Sequence, residues 1–502
     1  MILRPGAFTV DDLVAVAVHG RPVVVDPAAM ERARRSREAL EAALARGGVI
    51  YGVNTGFGKL SSVILPGDQT DALQRDLLRS HACGVGEPFP EEVVRGMMAL
   101  RIVSLLRGHS GIRPEVIRLL AGLLNAGVHP VVPQQGSLGA SGDLAPLAHL
   151  ALVLIGEGEA VHRGERLPGR EALARAGLAP VELRAKEGLA LINGTQAMTA
   201  AGALAWWRAC LVADAADAAA ALTMEALGGV IDAFREEIQA VRPYPEQAEV
   251  ARRIRRYLEG SRHVRPSTPE KVQDAYALRC VPQVHGASRR ALVHIGETLE
   301  IEMNAATDNP LVFPDEGAIL SGGNFHGQPV ALALDYLKIA AAELANISER
   351  RTERLVNPQL SGLPAFLTPT AGRSSGLMIL QYVAAALVSE NKVLAHPASV
   401  DSIPSSANQE DHVSMGTIAA RQARAVVENA ARAVAIELIC AAQAVEYKGL
   451  EGLAPFTRAV HAWVRGLVPP YAGDRPYAAG IEAVAARILD GSFNRAAAAF
   501  GG

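Results

Sequence analysis

The stretch LAWWRACLVADAADAAAAL, residues 204–222, decides the fold class of this chain. Its apolar side chains recur at steps of three and four, which places on one helix face Leu204, Trp207, Leu211, Ala215, Ala218 and Leu222. Between them the sequence is mostly alanine, the strongest helix former. The stretch therefore predicts a long helix that packs closely on its neighbours through small side chains.

The same spacing continues on both sides of this stretch after about residue 110. It predicts helices through residues 333–347, through residues 292–299, and over residues 413–447, the last apolar on most sides. The composition agrees, because the 502 residues are 49% apolar and only 4% aromatic, so Ala, Leu and Val must fill the core. We predict a mainly α fold, with a bundle of long helices over residues 111–502.

The first 110 residues predict a small mixed α/β domain. Thr9 can cap a helix that begins at Val10, with Asp12 as the acidic half of a capping box. Short apolar runs then predict strands at residues 22–25 and 49–51. The charged run between them predicts a second helix at residues 28–45.

Charge and cysteine content narrow the class of protein. Lys and Arg number 49 against 52 Asp and Glu, a net charge of −3 that argues against a nucleic-acid partner. No segment has the pattern of a signal peptide or a membrane span, so we expect a soluble, cytoplasmic protein. The cysteines lie far apart, which predicts reduced, buried thiols rather than disulfides or a zinc site: Cys83, Cys210, Cys280 and Cys440.

Several standard sequence motifs for phosphate, dinucleotide and metal binding are absent. The glycines near Lys59 do not form a phosphate loop, because Leu60 stands where Ser or Thr is required. Glu87-Pro88 after Gly86 cannot open a dinucleotide-binding helix. No His-Glu-x-x-His occurs, so we predict no metal ion.

The most informative loop is GSLGASGDLAPLAH, residues 136–149. Taken piecemeal it is a flexible loop in which Ser141 or Asp143 caps a helix, with Pro146 in its first turn. Taken whole it resembles the signature of the aromatic amino acid ammonia-lyases, and the resemblance extends from about residue 49 to residue 449. It implies a fumarase/aspartase-like helical core, an aromatic amino acid as the small-molecule substrate, and a homotetramer whose sites draw on more than one subunit.

In that family Ala-Ser-Gly cyclises on itself, which here implies a 4-methylidene-imidazol-5-one ring, the only cofactor, made from Ala140, Ser141 and Gly142. The Gly142 nitrogen would attack the Ala140 carbonyl, and Ser141 would lose water. Glycine leaves that nitrogen unhindered and permits strained backbone angles. The ring would bind the substrate amine and improve it as a leaving group.

The resemblance also assigns a base. YGVNTGFG, residues 51–58, matches the family motif whose tyrosine is usually given that role, which implies that Tyr51 removes the β-proton. A free tyrosine has a pKa of about 10, so the site would have to lower it.

Other matching blocks imply substrate and ring contacts. QDAYALRC, residues 273–280, would place Gln273, Tyr276 and Arg279 on one face if it were helical. Arg279 would grip the substrate carboxylate, and Gln273 and the catalytic Tyr276 would lie near the ring. LINGT, residues 191–195, and SGGNFHG, residues 321–327, imply that Asn193 and Phe325 contact it as well.

Two positions bear on the choice of substrate. His81 is expected where histidine is the substrate, although some tyrosine-acting relatives share it. Glu410 stands where the phenylalanine and tyrosine enzymes resemble one another in using an amide. A carboxylate accepts an imidazole N–H and stabilises its cation, which a phenyl or phenol ring would not reward. We therefore expect deamination of L-histidine to trans-urocanate, the first step of histidine degradation, with β-proton removal shared between Glu410 and Tyr51.

Three alternatives remain. A tyrosine or phenylalanine ammonia-lyase, or an aminomutase, would carry the same ring. A fumarase- or aspartase-type lyase would share the helical core, but no Gly-Ser-Ser-x-Met-Pro segment is present. A catalytically silent helical scaffold would lack the ring altogether.

Overall fold

The structure is a computed structural model that describes residues 1–501 and divides them into two compact units. The first unit consists of Met1–Leu204, Gly296–Asp335 and Pro397–Arg421. The second consists of Ala205–Ile295, Tyr336–His396 and the residues from Gln422 onward. Each unit is thus assembled from three pieces of chain. The predicted boundary after residue 110 lies inside the first unit and stays a prediction.

Helices dominate both units. They are α1 (Val10–Ala17), α2 (Pro27–Ala45), α3 (Thr70–His81), α4 (Glu91–Leu105), α5 (Pro114–Ala126), α6 (Leu144–Leu154), α7 (Gly169–Arg175), α8 (Glu187–Ile192), α9 (Gln196–Ala226), α10 (Glu236–Ala240), α11 (Pro245–Tyr257), α12 (Tyr276–Arg279), α13 (Val281–Met303), α14 (Gln328–Val356), α15 (Pro358–Ser361), α16 (Met378–Leu394), α17 (Gly416–Glu446), α18 (Pro455–Leu467), α19 (Ala478–Leu489) and α20 (Ser492–Ala499).

The strands are short. They are β1 (Ile2–Leu3), β2 (Val24–Val25), β3 (Val85–Pro88), β4 (Val128–Pro130), β5 (Pro133–Gln135), β6 (Glu159–His162), β7 (Glu165–Pro168), β8 (Leu311–Phe313) and β9 (Ala318–Leu320). β4, β6 and β7 form a three-stranded antiparallel sheet, and the others pair as β1–β2, β3–β5 and β8–β9.

The predicted mainly α fold with long helices is confirmed. α9 and α17 each have 31 residues, α14 has 29 and α13 has 23. The helix predicted through residues 333–347 ends at Val356, as the following Asn357-Pro358 requires. Asn357 then caps α15, its side chain accepting the Gln359 N–H at 3.0 Å.

In the second unit, small side chains line the buried helix faces. Alanines that are fully buried include Ala216, Ala219 and Ala220 of α9 and Ala430, Ala433 and Ala441 of α17. Charge pairs lie among them as well, including Arg351 Nε bonding Glu437 Oε1 at 2.6 Å. A buried charge needs partners, and Glu437 also accepts from the Thr223 hydroxyl at 2.8 Å.

In the first unit, helix packing fixes the loops that follow or precede each helix. The predicted capping box of Thr9 and Asp12 is present at the start of α1, which packs on α4. α3 packs on α6 and α8. α3 ends at His81, α6 begins directly after Asp143, and α8 ends directly before Asn193. These three helices therefore bring the ends of three distant segments together.

The N-terminal strand predictions had mixed outcomes. Val24–Val25 is a strand that pairs with β1, as predicted for residues 22–25. The strand predicted at residues 49–51 is wrong, because Tyr51 lies in a turn. The Asn54 side chain accepts the Ile50 N–H at 2.8 Å and donates to the Gly48 carbonyl at 2.9 Å. Those bonds take up backbone groups that a strand partner would need.

The cysteines form no disulfide among the described residues, but the prediction that all four are buried is wrong. Cys440 is buried, Cys210 and Cys280 are half-buried, and Cys83 is exposed at the end of α3. Within residues 1–501, no helix combines the length and apolar character needed to cross a membrane.

Candidate active site

A cleft of about 320 Å³ lies in the first unit. Its lining comes from several separate pieces of chain, and it includes six residues that the sequence singled out: Tyr51, His81, Ser141, Asn193, Phe325 and Glu410. Such a meeting of polar groups in one cleft is the usual arrangement of an active site.

The Ala-Ser-Gly loop enters the cleft in a strained conformation. Ser141 has a φ of 53° and Gly142 a φ of 80°, the left-handed region that non-glycine residues rarely adopt. A side chain at Gly142 has no room, because its Cβ would lie 2.2 Å from the Gly194 carbonyl oxygen. Ala140 and Ser141 are half-buried, and Ser141 lines the cleft directly.

The turn after α8 holds this loop from one side. The Asn193 amide nitrogen donates to the Ser141 carbonyl at 2.9 Å, and the Gly194 carbonyl accepts the Asp143 N–H at 2.7 Å. Asn193 is buried, and its Oδ1 has no hydrogen-bond partner among the described residues. Asn193 therefore lies beside the loop, as the sequence predicted, and its Oδ1 is available to accept a further hydrogen bond.

Asp143 is a residue whose importance the sequence did not reveal. The sequence offers it, or Ser141, only as the cap of α6, and Asp143 does occupy that cap position, yet its side chain forms no capping bond to the helix. Its carboxylate is fully buried and accepts the Met198 N–H at 2.8 Å, the Ser137 hydroxyl at 3.1 Å and the Thr417 hydroxyl. Burial raises the pKa of Asp143 against these bonds. Asp143 thus ties the loop to two remote helices.

Tyr51 reaches the cleft from its turn. Its hydroxyl oxygen accepts the Gly58 N–H at 2.9 Å, so the loop after Tyr51 folds back on its own side chain. Burial raises the pKa of Tyr51 above its usual value, and the nearby Glu410 charge raises it further. The sequence required a lowered pKa at Tyr51, and the described chain produces the opposite direction.

Glu410 faces Tyr51 from a loop that bends sharply. Ser406 has a left-handed backbone, as do the two residues after it. The Ser405 hydroxyl donates to Glu410 Oε2 at 3.2 Å, and the Ser406 hydroxyl accepts the Lys59 N–H at 3.2 Å. The first bond holds Glu410 within its own loop, and the second joins that loop to the one that follows Tyr51.

His81 ends α3 with its ring turned back along the helix. Its Nδ1 lies 2.9 Å from the Leu77 carbonyl oxygen, which can only accept, so Nδ1 carries the proton. Burial lowers the pKa of His81. The ring is therefore neutral near pH 7, and its Nε2 is an acceptor.

The remaining predicted contacts belong to the second unit and do not line this cleft. The prediction that Gln273, Tyr276 and Arg279 share a helix face is wrong, because α12 begins only at Tyr276 and Gln273 lies in irregular chain. Arg279 Nε donates to the Asp274 carbonyl at 2.9 Å, and its guanidinium lies 4.6 Å from the Tyr276 ring centre. Tyr276 itself is 70% exposed.

Comparison with known proteins shows which family the chain is similar to. A model of the aromatic amino acid lyases matches residues 8–466. The histidine ammonia-lyase of Geobacillus thermodenitrificans is 61% identical over 485 residues, 96% of each chain.

Solved structures give the same fold. A histidine ammonia-lyase from Trypanosoma cruzi is 43% identical with a TM-score of 0.93, covering 99% of this chain and 95% of its own. A tyrosine aminomutase from Streptomyces globisporus is 40% identical with a TM-score of 0.96, covering 99% and 98%.

Proposed function

Since the chain belongs to the aromatic amino acid lyase family, we propose that it is an ammonia-lyase that converts L-histidine into trans-urocanate and ammonia. The observation that carries the proposal is the placement of Glu410 and His81 in one cleft with Ser141. A carboxylate and a neutral imidazole offer two acceptors to the N–H groups of an imidazole substrate.

The residues at the loop fit a methylidene-imidazolone ring. Ring closure would join the Gly142 nitrogen to the Ala140 carbonyl carbon with loss of one water, and Ser141 would lose its hydroxyl and α-hydrogen as a second. The left-handed Ser141 and the side-chain-free Gly142 support this turn, and the unpartnered Asn193 Oδ1 supports a polar group beside it. When present, the ring supplies an electrophile for the substrate amine.

The β-proton needs a base near the ring. As the proton is removed, its bonding pair forms the new double bond and ammonia departs with the pair of the C–N bond. Because burial and Glu410 raise the pKa of Tyr51, the described chain favours Glu410 as the group that takes the proton. Tyr51 is the second candidate, because the Gly58 N–H stabilises its phenolate.

The second unit supplies residues that we assign to a neighbouring subunit's cleft. Tyr276 is 70% exposed beside Arg279, which is the placement expected of side chains that meet another chain. We propose a homotetramer in which the partner subunit's Arg279 binds the substrate carboxylate, with the partner subunit's Tyr276 and the partner subunit's Gln273 near the ring. The cysteines form no disulfide among the described residues, which supports a cytoplasmic location.

The test substitutes Glu410→Gln and measures product from L-histidine and from L-tyrosine. We expect kcat/KM on histidine to fall at least about tenfold further than kcat/KM on tyrosine. Loss of the base affects both substrates, whereas only the imidazole also loses a hydrogen bond to a charged group, which is worth about 1.5–3 kcal/mol. Asp411→Asn, on the exposed neighbouring carboxylate, is the matched control and should change neither.

The second candidate function is that of a tyrosine ammonia-lyase or aminomutase. The structural similarity to a tyrosine aminomutase, with a TM-score of 0.96, favours this alternative. Equal losses on both substrates would remove the argument for histidine. Conversion of tyrosine, or its rearrangement to a β-amino acid, by the unsubstituted chain with no urocanate from histidine would select this alternative.

A further inference from the structure

Arg101 lies beneath the turn that holds the Ala-Ser-Gly loop. It stands in α4, is fully buried, and points one nitrogen at the 193–196 turn. Its Nη1 donates to the Asn193 carbonyl at 2.7 Å and to Gln196 Oε1 at 2.8 Å. The same nitrogen would lie 2.6 Å from a Cβ at Gly194, so the turn and the guanidinium are in close contact.

The guanidinium of Arg101 forms no hydrogen bond outside this turn among the described residues. Its Nε and Nη2 have no hydrogen-bond partner among residues 1–501. The carboxylate whose charge acts on Arg101, that of Asp308, bonds the buried Lys186 at 2.8 Å. Burial lowers the pKa of Arg101 to about 10, so it still carries its charge at neutral pH. A buried charge is costly, and here its direct bonds go to the turn alone.

The turn in question fixes the loop at two points on either side of Gly142. The Asn193 amide holds the Ser141 carbonyl at 2.9 Å, and the Gly194 carbonyl holds the Asp143 N–H at 2.7 Å. A charged donor on the Asn193 carbonyl therefore sets the position of both bonds. Movement of the turn would move the Gly142 nitrogen relative to the Ala140 carbonyl.

We propose that Arg101 is a positioning residue for ring formation, which anchors the 193–196 turn so that Asn193 and Gly194 hold the loop in the geometry that cyclises. The inference rests on the proposed function, because it concerns the same ring. Intramolecular attack is fast only when the reacting atoms are held close together and aligned. Arg101 touches neither the ring atoms nor the cleft, so it acts through the turn.

The experiment measures the intact mass of the full-length chain at intervals after purification, for the unsubstituted protein and for Arg101→Met. The loss of a charged hydrogen bond should slow ring closure roughly ten- to hundredfold, so that freshly purified R101M retains both waters and loses them slowly. Arg101→Lys keeps the charge with a shorter reach and should fall between the two.

Arg95→Met is the matched control. Arg95 lies in the same helix and is also buried, but it donates to the Val16 and Leu124 carbonyls, away from the turn. Its loss should lower the melting temperature about as much as that of Arg101 and leave ring formation unchanged.

The outcomes separate the two proposals. A folded R101M that is fully dehydrated as early as R95M would overturn the role of Arg101, as would equal delays in both variants. If R101M does not fold, R101K decides in the same way: dehydration as early as in R95M overturns the role, and delayed dehydration supports it. An unsubstituted chain that keeps its full mass would instead overturn the ring, and with it the proposed function.

Discussion

At the scale of single residues, the pKa values of Tyr51 and His81 both depend on the charge of Glu410. Glu410 raises the pKa of Tyr51 and also that of His81, although burial dominates at both positions and acts on them in opposite directions. Tyr51 is therefore a phenol and His81 a neutral imidazole near pH 7. The protonation states that suit imidazole binding thus follow from burial. The charge of Glu410 adds to the effect of burial on the pKa of Tyr51 and opposes it on the pKa of His81.

This coupling gives a prediction with a definite sign. A negative charge stabilises the protonated form of each neighbour, so Glu410→Gln should lower the pKa of both Tyr51 and His81. The measurement is the titration of His81 by NMR and of Tyr51 by tyrosinate absorbance, with Tyr51→Phe as the blank. Asp411→Asn should leave both unchanged, and a rise in either pKa after Glu410→Gln would contradict the arrangement.

Single residues also show where sequence reasoning succeeds. Tyr51, Ser141 and Glu410 could be predicted because their motifs are specific, and they do meet in one cleft. Asp143 and Arg101 could not, because their partners are backbone groups and side chains that are distant in sequence. The direction of the Tyr51 pKa was also out of reach, since it depends on burial.

At the scale of elements, side-chain bonds to the backbone decide local structure where apolar runs are short. Residues 49–51 are apolar enough for a strand, but Asn54 takes the backbone groups and makes a turn. Gln273 has helical spacing to Tyr276, but the helix starts only at Tyr276. The long helices were predictable because their periodicity continues over many turns.

Asn54 supplies the element-scale prediction. Asn54→Ala removes both bonds of the turn and should cost about 1–3 kcal/mol of stability. It should also reduce kcat strongly, because Tyr51 loses its fixed position. Thr9→Ala is the control: it removes the cap of α1, should cost about 1 kcal/mol, and should leave kcat intact. Thermal unfolding and steady-state kinetics on both variants check this, and an unchanged kcat in Asn54→Ala would count against a role for the turn.

At the scale of the whole molecule, four long helices each contribute residues to both units. The low aromatic content now has a clear consequence, since alanine fills the buried helix faces while Tyr51 and Phe325 line the cleft. That Gln273, Tyr276 and Arg279 belong to the second unit could not be predicted from their sequence, because a motif match does not tell which compact unit of the chain a residue joins.

The proposal that each site draws on two subunits predicts complementation. Ser141→Ala and Arg279→Ala subunits should each be inactive alone, whereas co-expressed mixtures should recover roughly a quarter of full activity through sites that combine intact halves. Ser141→Ala mixed with Glu410→Gln should recover none, because both residues lie in the same unit. Native mass measurements check the subunit number. A mixture no more active than its components would show that the sites are not shared.

The most direct test of the central claim is the ultraviolet assay of the purified, unsubstituted chain with L-histidine, with L-tyrosine and L-phenylalanine in parallel. The proposed function predicts trans-urocanate and ammonia in equal amounts from histidine, with little or no product from the other two. The absence of urocanate, from a chain whose mass shows both waters lost, would contradict it.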